Sequence, residues 1–507
     1  MKRYVEIARI LNAKDVIDYI ERNESDLDFE RNVRDRLREA IYRRFDERVL
    51  KVIESLSVIQ LPIEIEVAKR FYDLDLIGEL LDLGLVKRIG GSLFIDETFR
   101  DLIMRDDVDY HRKAIEYYEC LEEDLDVCTE KSYHHLMAGD YEKSFELFIE
   151  TANRIYGRHR CVERLIFVGE KLIGKVEEVD RLFGTLGNLY MVLRRYEEAE
   201  GYYKRVLRMY EESGDERLPG VMLNLAKLYY VKGNYGKAED FLKDCLRISN
   251  DDEITENALL ILSSLYLDLN KFEKAEGCLM DVLRIEHSKA KLEPERMGRV
   301  ASILNNLGFV YSKGGNFEKA ERFYKEALRI YNEINDVEGV ITALNNLCSI
   351  YIANERFGEA KEILNTLKGL SEFPPDLKAK YHFLRAKILE REGNLDMAIE
   401  DYVKSGALGF LVFRNFGINA VNYMHAFDKA EEIAKRIGRE ELAGDIFIIK
   451  CAIGKIYFGI RRGIGEVRCG SRGKIILKAL RGEDVKFDVV DELDSVVFVI
   501  TRDLNVR

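Results

Sequence analysis

One short element returns along this chain and limits its fold more than any other feature. Residues 304–331 read LNNLGFVYSKGGNFEKAERFYKEALRIY, apolar at helical spacing on both sides of a KGGN break. The alanine that follows the break recurs as Ala199, Ala238, Ala275, Ala320, Ala360 and Ala398, at intervals of 39, 37, 45, 40 and 38 residues. Such a period specifies helix hairpins stacked in a solenoid. One hairpin cannot bury its own apolar face, so each needs a neighbour. Gly308, Ala320 and Ala327 are small because the two helices cross closely there, and Leu307, Tyr311, Phe317 and Tyr324 fill the space around the crossing. The break supplies the turn, where glycine reaches backbone angles other residues resist. These positions carry fold rather than function.

Copies of the element lie at 186–210, 223–248, 262–285 and 344–367, with weaker ones at 134–152, 384–407 and 422–438. The pattern resembles the tetratricopeptide (TPR) repeat in a variant of about 40 residues. The resemblance implies a mainly α fold, a TPR-like superhelix over 123–438 with a groove along its first helices. Asn224, Asn306 and Asn346 precede the Leu-Gly step of their repeats, Asn305 and Asn345 stand one residue earlier, and Asn188, Lys227, Ser264 and Ser349 follow one turn on. Asparagine is a poor helix former, so its recurrence in one register calls for a reason. An amide both donates and accepts, so it can pair with the backbone of an extended peptide. In peptide-binding TPR families asparagines in this register do so, and the resemblance implies that Asn188, Asn224, Lys227, Asn305, Asn306, Asn345 and Asn346 bind a partner. The competing reading has the same amides bonding between neighbouring helices.

Residues 1–45 are expected to be helical and 46–122 to form a winged helix with a linker helix. DERVLKVIESLSVI, LPIEIEVAKRFY and DLDLIGELLDLGL read as three helices, and VKRIGGSLFI as a hairpin about Gly90-Gly91. This order, followed by HRKAIEYYE, resembles the segment of archaeal STAND-type signalling ATPases in which a winged helix joins an ATPase to a TPR-like sensor. The ATPase is not expected here. A P-loop needs Gly-Lys followed by Ser or Thr, and Val, Ala, Ile and Ile follow Lys175, Lys237, Lys455 and Lys474. The chain reads as linker plus sensor, with a P-loop ATPase, if any, on another chain.

A DNA-reading helix needs groups that match base edges. The candidate over 73–84 has Asp73, Asp75, Glu79 and Asp82 instead, and the net charge of −13 weighs against nucleic acid as partner. Positions that could touch nucleic acid or an acidic partner are Arg31, Arg34 and Arg38 on the first basic helix, Lys87 and Arg88 in the hairpin, and Arg468, Arg472 and Lys474 near the end. Residues 439–507 are expected to be a long helix and a small sheet of four short strands, an α+β cap on the solenoid.

No residue set suggests catalysis, a cofactor or a metal. His134 and His135 are adjacent on a helix and point about 100° apart, and none of the eight cysteines form a CxxC pair. No apolar run is long enough to span a membrane, and no leader is recognisable, so a cytoplasmic protein is expected. A single glutamine, Gln60, beside 34% charged residues suggests a thermophile. The first functional expectation is a non-catalytic scaffold or sensor holding a partner peptide or domain. The alternatives are a transcription regulator that senses through its repeats and contacts DNA through the winged helix or the basic C-terminus, and the sensor subunit of a split STAND ATPase.

Overall fold

The breaks between paired helices work in two steps. Gly233 and Gly315 take φ of 74° and 78°, ending one helix in the left-handed conformation. Asn234 and Asn316 then cap the next helix, their side-chain oxygens accepting from the backbone N–H of Lys237 at 3.3 Å and Lys319 at 3.1 Å. The computed structural model describes residues 2–22, 29–105, 107–155, 160–369, 374–416 and 423–458, with 471, 474–476 and 496–497. It divides into two compact units, Met1–Asp215 and Glu216–Arg507.

The first unit opens with α1 (Lys2–Ile10), α2 (Lys14–Arg22), α3 (Phe29–Arg44) and α4 (Glu47–Ser57). Then come β1 (Ile63–Glu64), α5 (Ile65–Ala68), a 3-10 turn (Leu74–Ile77) leading into α6 (Gly78–Asp82), β2 (Val86–Ile89) and β3 (Ser92–Ile95). The strands form an antiparallel sheet in the order β1-β3-β2, with Ile63 opposite Leu93 and Val86 opposite Ile95. Two expectations are corrected here. The helix expected over 61–72 is a strand followed by a single turn, because Ile63, Glu64 and Ile65 alternate with a strand's period. Ile63 and Ile65 are buried, while Glu64 is exposed and donates its N–H to the Tyr117 hydroxyl at 2.8 Å. The third helix begins as the 3-10 turn rather than as one α-helix over 73–84.

Next come α7 (Glu97–Ile103), α8 (Val108–Tyr118), α9 (Leu125–Met137), α10 (Tyr141–Asn153), α11 (Val162–Leu172), α12 (Val179–Val192) and α13 (Tyr196–Ser213). One apolar core runs from Ile7 through Val33, Leu37, Ile41 and Phe99 to Val127. The basic helix α3 therefore lies on the segment that follows it, and Arg38 donates from Nε to the Leu102 carbonyl at 2.9 Å.

The second unit is built of helix pairs: α14 (Leu218–Val231) with α15 (Tyr235–Ile248), α16 (Asp252–Asp268) with α17 (Phe272–Ala290), and α18 (Met297–Lys313) with α19 (Phe317–Glu333). They continue as α20 (Val337–Ala353) with α21 (Phe357–Lys368), α22 (Pro375–Arg391) with α23 (Leu395–Phe416), and α24 (Tyr423–Arg436) with α25 (Glu440–Phe458). Gly308 is buried, and a Cβ there would sit 2.7 Å from the Tyr324 ring, the close crossing that its small size permits. Ala320 and Ala327 are fully buried in the facing helix.

Successive pairs are tied by a rung that repeats. The first-helix tyrosine donates to the glutamate after the ruler alanine of the preceding pair: Tyr266 to Glu239 at 2.9 Å, Tyr311 to Glu276, and Tyr351 to Glu321 at 2.8 Å. Burial would raise Glu321, but bonds from Lys325, Arg356 and Tyr351 outweigh it and hold the carboxyl at about 2.

Most of the four strands expected at the C-terminus lie outside the described residues, as do Arg468 and Arg472. Residues 474–476 and 496–497, assigned to two of those strands, are helical. Ile476, Val496 and Val497 are buried in one cluster with Phe410, Phe427 and Ile449. Short apolar runs suit a buried helix as well as a strand. Seven cysteines are free thiols, all buried except Cys120, and Cys469 lies outside the described residues.

Candidate functional site

The first helix of each pair presents one stripe that its own partner helix does not cover. In the second unit Lys227, Ser264, Phe309 and Lys387 on that stripe are exposed and Ser349 is half-buried. Phe309 carries Lys313 above its ring at 5.3 Å.

The asparagines behave in two ways. Asn306 is exposed and Asn224 half-buried, and neither amide bonds to a described residue. Asn346 is only 7% exposed; it donates from Nδ2 to Asn305 Oδ1 at 2.8 Å and accepts from Lys380 Nζ. Asn345 is fully buried, reaches the Leu377 carbonyl at 3.4 Å, and leaves Oδ1 without a partner. Asn345 and Asn346 thus lie between helix pairs, where a visiting chain does not reach them. In the first unit Asn188 is exposed, and its Oδ1 accepts from the Tyr203 hydroxyl at 2.7 Å.

Two lysines define the chemistry of the face. Lys227 is exposed to water at its surface, yet burial among surrounding protein lowers its ammonium pKa. Lys380 is half-buried, and burial pushes it down to about 8. Neither ammonium has a carboxylate partner among the described residues. Some exposed lysines are paired, as Lys325 is with Glu321 at 2.6 Å. Lys380 escaped the sequence reading because it stands in α22 outside the asparagine register; only the fold carries its amine to Asn346.

The other basic candidates are dispersed. Arg31 and Arg38 are exposed and Arg34 half-buried on α3, while Lys87 and Arg88 are exposed on β2. Lys474 is exposed. Among the described residues no three His, Cys, Asp or Glu side chains are placed to hold a metal ion, and no helix is long and apolar enough to cross a membrane.

The tetratricopeptide repeat family model matches residues 178–251 and 299–372, so the chain carries TPR repeats there. A curated relative, a kinesin light chain-related protein of Arabidopsis thaliana, is 26% identical over 219 residues, which cover 41% of this chain and 36% of that protein. This chain therefore spans about a third of that relative's length. Among solved structures, a STAND protein with a TPR sensor from Pyrococcus horikoshii is 18% identical with a TM-score of 0.39, covering 84% of this chain and 62% of that one. A TPR protein from Parabacteroides merdae is also 18% identical with a TM-score of 0.39, covering 60% of this chain and 98% of that one.

Proposed function

We propose that this protein is a non-catalytic interaction scaffold or sensor whose first-helix face holds a segment of another protein. The observation that carries the reading is the open stripe of the first helices, where the exposed Lys227 has no carboxylate among the described residues and the amides of Asn224 and Asn306 are unused. A cation partly stripped of water and left without an anion is costly to keep. A partner that brings a carboxylate to it recovers that cost on binding. Asn224 and Asn306 have amides free to pair with the partner's backbone whatever its sequence.

The module ahead of the repeats is read as a winged helix that contacts protein rather than DNA. Its α6 segment carries Glu79 and Asp82, and Glu79 is already paired with Arg44 at 3.0 Å. A separate P-loop ATPase is one partner that the module order suits.

The test is a doubly substituted chain, Lys227→Ala with Asn306→Ala, purified from its source organism beside the unaltered chain. Loss of the co-purifying protein with Tm held within ~2 °C supports the reading. Retention of the same partner at the same yield defeats it.

A further inference from the structure

The first unit contains a contact that the binding face does not use. His111 on α8 and His134 on α9 face each other with their Nδ1 atoms 2.7 Å apart. Both rings are buried, at 1% and 0% exposure. The pair sits where α8, the second helix after the small sheet, packs on α9.

At 2.7 Å the two nitrogens hold one hydrogen between them. One imidazole donates and the other accepts, which neutral rings accomplish by taking opposite tautomers. A proton on each Nδ1 would set two N–H groups head to head with no water to separate them.

The surroundings oppose added charge. From α8, Tyr118 stacks on the His134 ring at 5.4 Å. From α9, Tyr133 meets both rings edge-on at 5.8 and 5.2 Å, and Glu130 Oε2 lies 3.9 Å from His134 Nε2. Glu130 is held by Arg164 of α11 through two bonds of 3.1 Å, and that guanidinium lies 3.4 Å from the centre of the Tyr133 ring. Arg100 of α7 and His135 of α9 add to the nearby field. Burial first, then any proton gained by His111, and the nearby Arg164 and His135, lower the His134 pKa well below the ordinary histidine range.

We propose that the His111–His134 pair is an acid-sensitive interlock, which holds α8 on α9 while one proton is shared and lets go when both imidazoles are protonated. The charge that appears is local to this joint, so the repeats of the second unit keep their structure while α8 loosens. The sign follows from the lowered affinity for protons. Unfolded or detached, His134 binds a proton near its ordinary value, and docked against His111 it does not, so the joint is full strength above about pH 6.5 and weakens as pH falls below it.

Hydrogen exchange read by mass spectrometry on the full chain at pH 7.0 and 4.5, corrected for the intrinsic effect of pH, tests this. Protection of the α8 amides should fall at least about tenfold at pH 4.5, with α18–α20 unchanged. His134→Phe keeps a ring beside Tyr118 and removes the second proton acceptor, so its α8 protection should change by less than about twofold between the two pH values. Unchanged α8 protection in the natural chain, an equal fall across both units, or the same acid response in His134→Phe would each overturn the proposal. A histidine NMR titration of the unaltered chain provides a measure that needs no variant. The pair must gain its second proton at the pH where α8 loses protection, and gain of that proton with α8 still protected also overturns it.

Discussion

Asn306 and Asn346 hold the same place in their repeats, just before the buried leucine of the first helix, and meet opposite fates. Asn306 is exposed with its amide unused; Asn346 is buried, bonded to Asn305 on one side and to Lys380 on the other. The backbone direction is common to both, because it follows from helical period alone. The difference comes from the next pair: α22 brings Lys380 across α20, while α20 sets its own Asn346, a hydrogen-bonded amide, against Asn305 of α18. A recurring polar residue therefore identifies a direction, and the neighbouring helix decides whether it faces a ligand or a seam.

The largest effect should fall on the crossing of α18, which carries Asn306, with α19. Gly308→Val places carbon against the buried Tyr324 ring, where even a Cβ comes to 2.7 Å, and should cost about 3 kcal/mol in thermal or denaturant unfolding. An unchanged stability would mean that the crossing does not set the pair. Next is Asn346→Ala, which strands Asn305 and the Lys380 amine; a loss of about 2 kcal/mol is expected. A neutral result would erase the contrast between sealed and open amides.

Lys380→Met sharpens the comparison through pH. The ammonium keeps its proton to about 10.5 when unperturbed and to about 8 in the fold. Between these values the unfolded chain binds more protons, so stability climbs as pH rises through that window. The substitution should remove a climb of roughly 1–2 kcal/mol, allowing for solvent screening, read as Tm at pH 7.5 and 10. Smallest is Asn306→Ala, which should move stability by less than about 0.5 kcal/mol while weakening partner capture. A large Tm loss there would place Asn306 in a seam like Asn346.

Much of the second unit was legible in the sequence. The ruler alanines gave the pairs, and Gly-Asn gave their turns, because sterics at a crossing and angles at a turn restrict residue type locally. The Tyr-to-Glu rungs were also present, as a glutamate directly after Ala238, Ala275 and Ala320, but their pairing spans some 27 to 35 residues and no local pattern reveals it. Ile63 to Ile65 misled as a helix because three residues alternating within a short apolar stretch fit either period.

By itself the sequence determined the stacked hairpins, their spacing and the side of each first helix that faces outward, since all three rest on periodicity and the size of a few small residues. Only tertiary structure decided which amides stay open, which lysines lose water without gaining an anion, and which histidines share a proton. Those properties depend on what a distant segment brings within about 3 Å, and desolvation and hydrogen bonding act at that range irrespective of separation along the chain.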